Sequence, residues 1–222
     1  MLIVKRNLGF FMIIVFTILT ISLCVVAEEN KILEITNVQD TSILKARPFD
    51  NIVKADVLRI GSMAKDETSM GRGLIKFDLS QVPKGIEIVS AKLAISGSVQ
   101  PRAENPILTL KLYRLLVDWD PNTVNWLMRK STDDEMLEWN TPGVMGEGKD
   151  IDTATVIEFT SGFGWGYKEI DVTEHVKGFL SGKYPNYGWM FKLDEEKANN
   201  QYYYLYSSKA SESQPKLIIE YK

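Results

Sequence analysis

Apolar and polar positions alternate with a period of two along most of this chain, and Gly, Pro, Asn or Asp breaks the alternation at short intervals. The clearest stretch is Gly71 to Ser96. Leu74 and Lys76 alternate with Ile75 and Phe77, Asp78, Ser80, Pro83 and Gly85 crowd into a turn, and Ala91, Leu93 and Ile95 resume the alternation. The same pattern predicts strands at 38–44, 108–115, 154–159, 202–206 and 215–221, with a short apolar run at 32–35. Residues 61–71, 97–106 and 146–152 read as loops, and 127–138 as a polar segment. Glu174–Leu180 is the best helix candidate, with Thr173 as its N-cap and Gly182 past its end. About ten short strands with one brief helix predict an all-β fold, a two-sheet antiparallel sandwich. No linker or internal repeat divides the chain.

The first 27 residues break this pattern. Lys5 and Arg6 precede an apolar run from Leu8 to Val26, and Val25-Val26-Ala27 is followed by Glu28. This predicts a signal peptide over 1–27 and a single domain over 28–222, the alternative being an uncleaved segment that ties the chain to a membrane. Cleavage after Ala27 would remove Cys24, the one cysteine, so disulfides, thiolate metal sites and cysteine nucleophiles are all excluded from the mature chain. It would also take the formal charge from −3 to −5, since Lys5 and Arg6 leave with it. That balance argues against a nucleic-acid partner while allowing a local basic patch.

The ordered motifs carry a resemblance. LIKFDLSQVPKGIEIVSAKLAI, with Arg72 ahead of it, resembles the central motif of the DNRLRE domain family, the disaggregatase-related repeat grouped with carbohydrate-binding modules. Further similar elements are Asp40, the Trp119–Trp126 segment, Trp139 before Pro142-Gly143, the 168–173 segment, Pro185-Asn186-Tyr187-Gly188-Trp189, Ser208-Lys209 and the terminal PKLIIEY. The resemblance implies a jelly-roll sandwich that acts by binding sugar, with acidic or cell-surface polysaccharide as partner and an extracellular location.

For catalysis the chain offers His175 without a nucleophile elbow, and no carboxylate pair that spacing singles out, so the reading is not an enzyme. Glu147, Asp150 and Asp152, in a glycine-containing loop, are the candidate oxygen ligands for a structural calcium. For the ligand, Lys54, Arg59, Arg72 and Lys76 are the candidate basic contacts. Trp165, between two glycines, and Tyr202 and Tyr204, on one strand face, are the candidate platforms. Arg72 serves equally as a bidentate partner for a ligand carboxylate or in a salt bridge to Asp78 or another internal acid. Trp119, Trp126, Trp139 and Trp189 are expected in the core. The rival functional class is a structural or assembly protein that self-associates through its sandwich.

Overall fold

The computed structural model describes residues 29–62, 67–99, 107–162, 166–196 and 201–222. The signal-peptide segment 1–27 and Trp165 lie outside these. Thirteen strands and one α-helix follow in order among the described residues. The strands are β1 (Lys31–Ile35), β2 (Val38–Leu44), β3 (Val57–Ser62), β4 (Met70–Phe77), β5 (Ile88–Val99), β6 (Leu108–Leu115), β7 (Met128–Ser131), β8 (Met136–Glu138), β9 (Ile151–Ser161), β10 (Gly166–Asp171), β11 (Trp189–Leu193), β12 (Tyr202–Tyr206) and β13 (Lys216–Tyr221). The helix α1 (Thr173–Leu180) lies between β10 and β11. No helix among the described residues is long and apolar enough to cross a membrane.

The fold is an all-β antiparallel sandwich. Its layers form one hydrogen-bonded path, β1-β13-β5-β12-β3-β4-β11-β6-β9, with β10 on β5 and β2 on β4. Strands from both ends of that path share one apolar core, so the path folds over on itself. Leu93, Leu217 and Ile219 from one end meet Leu110, Leu112, Phe191 and Trp189 from the other. The layers stay joined because β5 is twelve residues long. Its first part pairs with β13 and its last residues with β12, while β10 takes its other edge. The sequence places a loop from Gly97, yet β5 runs on to Val99. Gly97 fits mid-strand because a Cβ there would collide with the Tyr203 hydroxyl. At the chain's two ends β1 and β13 pair antiparallel, with Lys31 opposite Tyr221.

A second core covers the outer face of β4, β11 and β6. The β6–β9 connection folds back over these strands and buries Trp119, Trp126, Trp139 and Val144 against Leu74, Tyr113 and Met190. The three tryptophans are 2%, 6% and 3% exposed, and Trp189 in the first core is 1% exposed, which meets the packing expectation for all four. Inside this connection the segment read as polar contains the hairpin β7–β8. The helix falls where its pattern predicts, and Gly182 follows it with φ of 72°. Thr173 is its first residue rather than its cap. The Thr173 hydroxyl instead accepts from the Ala91 N–H at 2.9 Å and pins the helix to β5. Two distant motif residues also meet. Buried Asp40 accepts from the Ser208 N–H at 2.6 Å and from its hydroxyl at 2.8 Å, while burial pushes the Asp40 carboxyl above its ordinary pKa.

Candidate functional site

Strand β12 sends Tyr203 and Leu205 into the core and leaves Tyr202, Tyr204 and Tyr206 half-buried on its other face. Tyr202 and Tyr204 meet edge to face, with centroids 5.2 Å apart. Register places Arg59 of β3 and Ser98 of β5 on either side of Tyr204. Two residues along β5, Ser96 lies opposite Tyr167 of β10, which is 57% exposed. Lys216 of β13 stands 6.0 Å from the Tyr167 ring. One face of the β3–β12–β5–β10 region therefore carries a band running from Arg59 through Tyr204 to Tyr167 and Lys216. The Nε of Arg59 is buried and has no hydrogen-bond partner among the described residues. A buried donor left this way has a real cost, and the Nε of Arg114, inside its pair with Asp152, is left the same way.

Of the sequence candidates, Arg59, Tyr202 and Tyr204 come together here. Lys54 lies exposed in the turn before β3. Arg72 does not join the band: its side chain is 7% exposed and makes a bidentate pair with Glu196, Nε to Oε1 at 2.8 Å and Nη2 to Oε2 at 2.6 Å. It also donates to the Gly143 carbonyl and lies 4.8 Å over Trp126. This is the internal ion pair, with Glu196 as the acid in place of Asp78. Lys76 pairs with Asp118 at 3.2 Å and covers Trp119, on the face closed by the β6–β9 connection.

The calcium trio is not assembled. Asp150 is 1% exposed, and its carboxylate accepts from the N–H groups of Asn140, Thr141 and Gly146, each at 2.9 Å. Asp152 pairs with Arg114 at 2.6 Å, while Glu147 is exposed. Among the described residues no group of three or more His, Cys, Asp or Glu is placed to hold a metal. The acidic loop is organised around backbone donors, the job a carboxylate does in a turn.

A second feature escaped the sequence reading. Beside α1 opens a cleft of about 980 Å³ whose walls include Val89, Ser90, Thr155, Ile157, His175, Ser181 and Tyr184. Strand β9 bulges here, with Leu112 facing Ile157 but Arg114 already facing Asp152. The bulge brings Thr155 to His175. The Trp189 indole can only donate, so at 3.0 Å it fixes Nδ1 of His175 as an acceptor. The neutral ring then donates from Nε2 to the Thr155 hydroxyl at 2.9 Å. Thr155 in turn donates to Asp152 at 2.9 Å. Burial and the nearby Arg114 hold His175 below its ordinary pKa. Burial raises the Asp152 pKa, but Arg114, Thr155 and the Ala154 N–H together outweigh it and leave this carboxyl low. In this arrangement His175 is a donor toward Thr155, the opposite of what a general base for that hydroxyl requires.

The molecule is thus a β-sandwich with an open aromatic and basic band on one face and a cleft at its helical end. The profile of the disaggregatase related repeat domain matches residues 40–220, and the chain belongs to that family. No curated protein matches the chain.

Proposed function

We propose that this protein is a secreted, non-catalytic module that binds an acidic or cell-surface polysaccharide through the band formed by Arg59, Tyr202, Tyr204, Tyr167 and Lys216. The observation that carries the reading is the edge-to-face pair of Tyr202 and Tyr204 on the outer face of β12, with Arg59 in register beside Tyr204. A tyrosine ring packs against the apolar side of a pyranose, and an adjacent guanidinium receives a carboxylate. Export rests on the basic and apolar pattern of residues 1–27. Family membership agrees with a binding role without naming a ligand.

Affinity electrophoresis of residues 28–222 against alginate, pectin and neutral glucans, with and without calcium, tests this. Retardation by a uronate polymer that disappears at high salt is expected. Tyr204→Ala and Arg59→Ala would each weaken it about tenfold or more, a loss of roughly 1.4 kcal/mol, without lowering the melting temperature by more than a few degrees. No retardation by any polymer would sink the reading. It would favour self-association through the edge strand β1, where Ile32 is 70% exposed.

A further inference from the structure

The cleft beside α1 has no part in the binding band. It lies at the other end of β5, with Ser90 on its wall and Ser98 under the tyrosines. Eight residues of extended chain separate these two serines by roughly 26 Å. Its volume of about 980 Å³ is within the range of small-molecule sites.

Three observations narrow what would fill it. The bulge in β9 spans the cleft wall, so the edge there presents no continuous ladder of N–H and C=O groups for an incoming peptide strand. The hydroxyls of Ser90, Thr155 and Ser181 and the ring of Tyr184 line it instead, with Val89 and Ile157 as apolar patches. Its charges balance: Asp171 and Glu174 stand with Lys177 and Lys183, and Glu174 pairs with Lys177 at 3.5 Å. Hydroxyls, a ring and a neutral rim match an uncharged polyol ring, whereas the band carries the guanidinium of Arg59, its Lys216 being paired with Glu34 at 3.0 Å.

We infer that the cleft between α1 and the bulged part of β9 is a second carbohydrate site, selective for uncharged sugar residues and independent of the tyrosine band. Thr155 is held as a fixed hydroxyl there. His175 donates to it and it donates to Asp152, so its remaining lone pair faces a ligand donor in a set orientation. One domain would then hold a neutral glycan and an acidic one together and join two polymers.

Titration of the ¹⁵N-labelled protein with cellohexaose, laminarihexaose and mannohexaose, followed by amide shifts, tests the inference. At least one hexasaccharide should shift amides at 89–90, 155–157 and 174–184 and leave 57–60 and 202–206 unmoved. Its affinity should be the same at low and high salt. Ser181→Leu should weaken it about tenfold, and Tyr204→Ala should not change it. No shifts with any hexasaccharide, or shifts confined to 57–60 and 202–206, would overturn the proposal. Alginate titrated into the same sample reports on the band separately, so either site can fail alone.

Discussion

Replacing Asp150 by alanine separates two readings of the acidic loop. In the structure the carboxylate holds three backbone N–H groups, and the residues they belong to, 140, 141 and 146, bracket the turn that places Gly143 against Arg72. The bond from Gly146 is fully buried and the other two are partly buried. A buried donor stripped of a charged acceptor costs about 2–3 kcal/mol, and each donor that water can reach costs about 1 kcal/mol. The expected loss for Asp150→Ala is therefore on the order of 4–5 kcal/mol. In a domain of this size that lowers the melting temperature by roughly 8–20 °C. Asp150→Asn keeps one oxygen acceptor and should lose about half as much. Calorimetry with and without millimolar calcium reads both effects, and calcium should leave the wild-type transition where it is. A loss under about 1 kcal/mol would refute the backbone-anchor argument. So would a calcium-dependent rise in the wild type that Asp150→Ala abolishes, which would make the carboxylate a cation ligand.

Other outcomes follow from the same geometry. Arg72→Met leaves Glu196 buried with only the longer contact to Lys192 at 3.5 Å and should cost about 2–4 kcal/mol by urea denaturation, with Arg72→Met/Glu196→Gln recovering part of it. His175 has a folded-state pKa below its unfolded value. The stability it contributes is therefore complete above about pH 6.5 and is lost as pH falls through the folded pKa, because the unfolded chain takes up the proton more readily. Melting temperature should drop between pH 7 and pH 5 in the wild type and stay flatter in His175→Gln, whose amide can accept from Trp189 and donate to Thr155. A parallel acid response in the two proteins would count against this. Gly178→Ala, which in an open helix stabilises by about 1 kcal/mol, should destabilise here because the new methyl meets the Tyr184 ring. A raised melting temperature would show that Tyr184 moves aside freely.

The period-two alternation was enough to place most strands, since each must turn one face to a core, while α1 was marked by Thr173 at its start and Gly182 past its end. The four buried tryptophans were legible from the usual burial of large aromatic side chains. Partners were not. Arg72 meets Glu196 across 124 positions, and Asp40 meets Ser208 across 168, distances that only the finished topology brings to nothing. Tyr202 and Tyr204 were visible as one strand face, but Tyr167 and Lys216 join them only through the pairing of β10 and β13 with β5. The calcium trio shows the limit of counting acids in a loop. A carboxylate among glycines suits backbone donors as well as a cation, and the sequence does not say which the chain supplies. The hairpin β7–β8 was missed because its strands bury little: Met128 to Ser131 are all half-exposed, so no apolar stripe marks them.

The pairing of β1 with β13 sets how this domain bears load. Lys31 and Tyr221 are partners in one antiparallel rung, so chain entering at the first strand and chain leaving at the last do so at one corner. Tension applied between those two points falls on the outermost hydrogen bonds first and opens the ladder a rung at a time. Strands loaded at opposite ends would instead share the force across every rung at once. A polymer bound as proposed would pull elsewhere, through β5 and β12, which have paired strands along both edges. The domain should therefore yield at its chain ends under a force that its interior strands withstand.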